Sequence, residues 1–174
     1  GIMTAATASP APPADGAPAD RPAGLQVAIE AEAALPYETI LMQKSRQLKD
    51  ETDDAISYDA CRTAYQLNAS LIVAFTESGS TAGRVSKYRP MPPILALTSG
   101  ERVKRRLTLR WGVTPITVDR LNTVEDFFRL GEEQAVKEMG LEPGHRVVLV
   151  AGVPIGVPGG TNLLRVLTIS ESPK

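Results

Sequence analysis

The amino-acid sequence predicts an α/β fold of three layers: a mostly parallel five-stranded sheet with helices on both faces and an antiparallel last strand. Three observations carry that prediction. Strand-like and helix-like segments alternate from Leu71 onward, the pattern of a parallel sheet crossed by helices. Leu71-Ile72-Val73-Ala74-Phe75 is an unbroken apolar run, as expected for a strand buried on both faces. The last two strands are joined by a glycine- and proline-rich loop, Gly152 to Gly160. It is too short for a crossover, so the final strand turns back antiparallel.

The elements follow in order. Residues 1–24 hold mainly Ala and Pro with almost no large apolar side chain. Burial there cannot offset the entropy of ordering, so a disordered tail is expected, with Gly1-Ile2 ahead of Met3 read as a cloning remnant. A short tail is expected at 171–174 and the folded domain at 25–170. Leu25, Ile29, Ala33 and Leu35 share one helical face, opposite Glu30 and Glu32. Pro36 interrupts, and Tyr37 to Leu48 continues as a second helical piece. Thr52-Asp53-Asp54 offers an N-cap to a helix that buries Ile56, Ala60, Thr63, Ala64 and Leu67. That helix stops near Asn68, a residue tolerant of the left-handed cap conformation.

A strand is predicted over Leu71–Phe75, then a helix from Gly79 to Tyr88 closed by Arg89-Pro90, then a strand over Ile94–Thr98. The next helix, Glu101 to about Arg110, carries Arg102, Lys104, Arg105, Arg106 and Arg110 on a basic face read as solvated. A short strand over Val113–Val118 precedes a long helix, Thr123–Met139, capped by Asn122 or Thr123 and closed by Gly140. Gly131 inside that helix costs about 1 kcal/mol relative to alanine, which implies close packing against a neighbour. Strands over Arg146–Ala151 and Leu163–Ile169 complete the set. Trp111, where helix meets strand, is read as a packing residue.

Composition narrows the function. At 174 residues the chain suits one domain and a tail. A net charge of −1 gives no general attraction to nucleic acid or anionic membrane. No apolar run approaches the ~20 residues that span a bilayer, and no basic stretch followed by an apolar core marks a secretory signal. A single cysteine, Cys61, excludes an internal disulfide and suits a reducing, cytoplasmic setting. With one histidine, His145, a clustered His/Cys metal site cannot be built. Neither a metal site nor a cofactor is expected. Cys61 lies in a helical pattern and His145 at a strand start, so they read as a buried cysteine and a strand-edge histidine rather than a nucleophile pair.

The chemistry concentrates in two loops at the carboxyl ends of predicted strands, where open α/β sheets bind ligands. One is Thr76-Glu77-Ser78-Gly79-Ser80-Thr81. Its hydroxyls and glycine stand at the first turn of a helix, where N–H groups are unpaired and the dipole is positive, so it suits a phosphate without needing a lysine. The other runs from Gly152 through Gly156, Val157, Pro158, Gly159, Gly160 and Thr161 to Asn162. The two are expected to be neighbours in space. Plainer readings stand beside these: a stabilising helix cap for the first loop and a hairpin connection for the second. Neither loop holds a histidine, lysine or aspartate for acid–base work, and Glu77 is the only acid. No catalytic residues are assigned.

These segments resemble a known family. Glu30 to Tyr37, Asp54 to Tyr58, Leu67 to Ser70, Thr76 to Ala82, Val85-Ser86-Lys87-Tyr88-Arg89-Pro90, Trp111-Gly112-Val113 and Ala151 to Leu164 match, in order and spacing, the C-terminal domain of bacterial pyruvate kinases. The resemblance covers about Ala28 to Ile169. It implies a domain that binds an allosteric effector and forms one of the tetramer's subunit interfaces. The family's active site lies in a separate (β/α)₈ barrel of ~250 residues, to which its magnesium and potassium belong and for which this chain has no room. By that resemblance Thr76, Ser78, Gly79, Ser80 and Thr81 match the loop that wraps an effector phosphate, and Gly156 to Thr161 the loop that closes over the sugar.

Glu77 stands where some family members carry a lysine that helps bind fructose 1,6-bisphosphate. A carboxylate beside a dianion is repulsive by about 1 kcal/mol or more. No arginine clearly matches the family's contact to a second phosphate, and Arg129 matches it only weakly. The resemblance therefore implies a sugar monophosphate or AMP as effector, and a pyruvate kinase catalytic domain or a homo-oligomer as protein partner. Two other readings are a structural oligomerisation module with a vestigial effector site, and an enzyme acting on sugar phosphates, which the fold would permit.

Overall fold

The computed structural model describes residues 30–31, 34–155 and 160–171. The expected tail at 1–24, most of the helix expected from Leu25, the stretch Gly156–Gly159 of the candidate loop and the last three residues lie outside them. Near the start, the Ala34 N–H donates to Glu30 O at 3.1 Å, closing one helical turn. The sheet and its helices belong to a unit spanning Pro36–Lys174. In chain order they are α1 (Tyr37–Ser45), α2 (Thr52–Gln66), β1 (Leu71–Phe75), α3 (Ser80–Lys87), β2 (Ile94–Thr98), α4 (Glu101–Leu107), β3 (Val113–Thr117), α5 (Val124–Met139), β4 (Arg146–Ala151) and β5 (Leu163–Thr168).

The strands form one sheet in the order β3-β2-β1-β4-β5. β1 pairs in parallel with β2 and β4, and β2 with β3, while β5 runs antiparallel to β4 as the short loop requires. Every residue of β1 and β2 is buried, and side-chain alternation divides them between two cores. Ile72, Ala74, Ile94, Ala96, Val148 and Val150 meet Ala60, Cys61 and Ala64 of α2, Ala82 and Val85 of α3, and Leu107 of α4. Leu71, Val73, Phe75, Leu95, Leu97, Val147 and Leu149 meet Phe127 and Ala135 of α5 on the opposite face. The chain steps one way through β1, β2 and β3, then returns past β1 to β4. With right-handed crossovers this reversal puts α5 on the face opposite α3 and α4. Pro115 sits within β3 at no cost to an inner ladder, because β3 is an edge strand.

The long helix has Thr123 at its N-cap, accepting from Asp126 N–H at 3.1 Å, and Gly140 in the left-handed region at its end. A Cβ at Gly131 would lie 2.6 Å from Leu149 Cδ2, which is the close packing that the mid-helix glycine implied. Asn68 has φ 50°, as its place after α2 requires.

Other details differ from expectation. α1 ends at Ser45 and α4 at Leu107, short of the predicted Leu48 and Arg110. The Thr52-Asp53-Asp54 cap does not form: Glu51 takes the N-cap position without a side-chain bond. Asp54 is instead buried inside α2. Its carboxylate accepts from Lys49 N–H at 2.9 Å and from Lys87 Nζ at 2.9 and 3.0 Å, because an ion pair to α3 is the stronger use of a buried acid. On α2, Ser57 and Cys61 are buried where Ile56, Thr63 and Leu67 are only half-buried. The Cys61 thiol donates to Val85 O at 3.6 Å, and burial pushes its pKa up. His145 is exposed, its Nδ1 accepting from Glu142 N–H at 3.0 Å. Trp111 is half-buried with the Arg89 guanidinium 5.9 Å from its ring centroid.

Candidate functional site

The reversal of strand order falls between β1 and β4, and the crevice beyond the carboxyl ends of two such strands is where this class of sheet takes ligands. Both sequence-predicted loops leave from that point: Thr76–Ser80 from β1, and the segment after Gly152 from β4. They meet there. Thr161 Oγ1 donates to Thr81 Oγ1 at 3.0 Å, a bond between two buried threonines 80 positions apart in the chain.

The first loop is built to leave its helix start open. Gly79 occupies the N-cap at φ 85°, a left-handed conformation that favours glycine, so no N-cap side chain covers the first turn of α3. The Gly79 N–H donates to the buried Thr76 Oγ1 at 2.9 Å, which closes the turn on itself. Ser78 Oγ donates to Ser80 Oγ at 3.0 Å and accepts from Ser80 N–H at 3.4 Å. The N–H groups of Ser80, Thr81 and Ala82 have no carbonyl partner within the helix. Thr76 is thus a structural hydroxyl, while Ser78 and Ser80 are the ones presented to solvent.

In the second loop, Gly152, Gly160 and Thr161 are described, whereas Gly156, Val157, Pro158 and Gly159 lie outside the described residues. Asn162 clamps the neck. Its Oδ1 accepts from Val153 N–H at 2.7 Å and its Nδ2 donates to Val153 O at 2.9 Å. Gly152 and Gly160 approach so closely that a Cβ on Gly152 would strike Gly160 O.

Three charged residues join the site that the loops alone did not reveal. Arg84, four residues after Ser80 and so on the same face of α3, pairs with Asp53 of α2 at 2.6 Å. Its other terminal nitrogen, Nη1, is buried without a hydrogen-bond partner. Asp53 in turn lies beside Gly160, whose Cβ would sit 3.7 Å from the carboxylate carbon. From α4, the Arg106 guanidinium donates to Ser78 O and stands 3.2 Å from where a Cβ on Gly79 would be, so this member of the basic face reaches the loop rather than only solvent. Glu77, half-buried, accepts from Ser99 Oγ at 2.7 Å through Oε2, and its Oε1 is buried with no partner. Arg129 is not brought to these loops: it pairs with Glu133 at 2.9 Å and Asp126 at 3.6 Å on α5.

Among the described residues no group of His, Cys, Asp or Glu is placed to hold a metal ion, and no helix is long and apolar enough to cross a membrane. The arrangement sets hydroxyl and backbone donors beside two arginines, Arg84 and Arg106.

Comparison with known proteins identifies the domain. Residues 54–167 match the family model described as pyruvate kinase, alpha/beta domain. The chain is 38% identical over 144 residues to a pyruvate kinase of Clostridium acetobutylicum, covering 83% of this chain and 30% of that protein. It is 40% identical over 146 residues to one of Geobacillus stearothermophilus, covering 84% of this chain and 25% of that protein. A solved Cryptosporidium parvum pyruvate kinase in complex with ADP superposes with a TM-score of 0.74 at 29% identity, over 83% of this chain and 29% of that one. The chain spans between a quarter and a third of the length of these relatives. It belongs to the pyruvate kinase family, and it corresponds to the C-terminal alpha/beta domain of the bacterial enzymes.

Proposed function

We propose that this domain is the regulatory, effector-binding part of a pyruvate kinase, taking a phosphorylated small molecule between the β1–α3 turn and the loop after β4. The observation that carries this reading is the meeting of the two loops at the strand-order reversal, beside an arginine with a buried and unbonded N–H group. An anionic ligand is drawn by the Arg84 guanidinium, while Ser78, Ser80 and the N–H groups of Thr81 and Ala82 at the start of α3 donate to phosphate oxygens. In the whole enzyme such a ligand would regulate phosphoryl transfer from phosphoenolpyruvate to ADP. That chemistry, with its magnesium and potassium, belongs to a catalytic domain this segment does not span, and this domain itself contributes regulation and contacts in a cytoplasmic homo-oligomer.

Glu77 favours a monophosphate, a sugar phosphate or AMP, over fructose 1,6-bisphosphate, because its unpartnered Oε1 repels a second phosphate. Calorimetric titration with AMP, glucose 6-phosphate, ribose 5-phosphate and fructose 1,6-bisphosphate tests this. One monophosphate is expected to bind, and Arg84→Ala to weaken it about tenfold, the loss of one charge-assisted contact. Tightest binding of the bisphosphate, or affinity indifferent to Arg84→Ala, would overturn the assignment.

A further inference from the structure

The strongest concentration of one charge in the chain lies on α4 and the turn after it. Between Tyr88 and Val118 there are six basic residues, Arg89, Arg102, Lys104, Arg105, Arg106 and Arg110, and a single acid, Glu101. None of the six forms an ion pair among the described residues.

The arginines are arranged as a stripe. Arg102, Arg106 and Arg110 follow one another at four-residue spacing, and Arg105 and Leu109 run beside them at the same spacing, so all five share one side of the helix and its continuing turn. Contacts to α3 fix the inner edge of the stripe. Arg106 Nη2 stands 3.2 Å from where a Cβ on Gly79 would be, and Arg110 Cζ 3.7 Å from that of Gly83, one turn along. Ser86 Oγ donates to Trp111 O at 2.7 Å, which pins the end of the turn. Arg102, Arg105 and Arg110 are exposed, and Leu109, at 87%, is the most exposed large apolar side chain among the described residues. Like charges one turn apart destabilise a helix, and a leucine left in water gains nothing from burial. Both features cost stability in the free domain, and one kind of partner answers both.

We propose that this side of α4 is a docking surface for an acidic amphipathic segment of a partner protein, its carboxylates paired with Arg102, Arg105 and Arg110 and an apolar side chain seated on Leu109. Guanidinium groups take carboxylates in bidentate pairs, and charged pairs around an apolar contact are the makeup of a protein interface. A nucleic acid fits less well. Its phosphates would place nothing on Leu109, and Trp111 in the adjoining turn is half-buried with Arg89 over its ring, a poor platform for a base. The stripe is also short: Arg102 to Arg110 covers about 12 Å at 1.5 Å per residue, the length of two turns of a docked helix. Arg102, Arg105 and Leu109 make no hydrogen bond to either candidate loop among the described residues, so this reading and the effector reading stand or fall independently.

The test is fluorescence anisotropy with the full chain at about 0.15 M salt. The probe is a labelled helical peptide with glutamates four residues apart and leucines between them; polyglutamate of equal length and oligouridylate are the controls. Two variants are compared with the natural chain, Arg102→Glu/Arg105→Glu and Leu109→Ser, whose exposed positions leave the thermal midpoint unchanged and spare Arg106. The peptide is expected to bind more tightly than either control and to shift the backbone amides of Arg102 to Trp111. The charge reversal is expected to weaken it about tenfold or more, and Leu109→Ser about threefold. No binding, shifts outside that stretch, or affinity unchanged in either variant would overturn the proposal. Polyglutamate binding as tightly as the peptide would leave Leu109 without a role and overturn it too. So would tighter binding of oligouridylate, or self-association of the chain that the charge reversal removes, which would make a second copy the occupant.

Discussion

Replacing Asp54 by alanine should lower the unfolding free energy by about 3 kcal/mol at neutral pH, the low end of the range for breaking a buried ion pair. The Asp54 side chain is 4% exposed and that of Lys87 34%, so the orphaned ammonium can still reach water, which sets the effect at the low end. The loss also strands the Lys49 N–H that the carboxylate serves. Burial alone would raise the Asp54 pKa, but the hydrogen bonds from Lys49 N–H, Lys87 and Tyr88 and the charge of Lys87 outweigh it and hold the carboxyl below its usual value. The folded carboxyl therefore ionises at lower pH than the unfolded one. Its stabilisation is complete above the unfolded value of about 4 and is lost as pH falls through the folded value. Urea unfolding of the natural chain and Asp54→Ala at pH 7 and in acid should show a gap that narrows on acidification. A gap of equal size at both would mean that packing, not charge, is what the substitution removes.

Replacing Gly152 by alanine should damage both the fold and ligand binding. The added methyl meets the backbone oxygen of Gly160, and backbone cannot rotate away as a side chain can. The loop neck must open, at a cost of about 2 kcal/mol, as for other overpacked sites. Opening it moves Thr161 off Thr81 and Gly160 off the Asp53–Arg84 pair. Thermal unfolding should register the first effect, and calorimetric affinity for the bound monophosphate should fall about tenfold or more. A stable variant with unchanged affinity would show that the β4 loop plays no part in holding the ligand.

Much of the fold was legible because burial leaves a local mark. The apolar runs of β1, β2 and β4 sit where the sequence puts them, and the missing helix between β4 and β5 forces the antiparallel pairing. Gly131 was legible for a similar reason: a residue that costs helix stability needs a neighbour to justify it, and Leu149 is that neighbour. The meeting of the two candidate loops was legible in the backbone pattern, and the charges beside them only partly. The hydroxyl-rich turn announces itself by composition. Arg84, Asp53 and Arg106 join it only through tertiary packing of α2, α3 and α4. The signal available for Arg84 was its i+4 spacing from Ser80, and for Arg106 its place on the helix after the strand beside β1. Asp54 read as a cap because a Thr-Asp-Asp run before a helix usually is one. Its partner Lys87 lies 33 residues further along the chain, beyond the reach of any local pattern.

The central claim is that the β1–α3 turn and the β4 loop form one anion-binding site. The most direct measurement is the backbone amide spectrum of the full chain titrated with glucose 6-phosphate and with ribose 5-phosphate. The account predicts that at least one of them shifts the amides of Ser78 to Ala82 together with those of Gly160 to Asn162, in a single saturable event that Thr76→Ala/Ser78→Ala abolishes. Shifts in neither loop, or shifts that survive the double substitution unchanged, would contradict it.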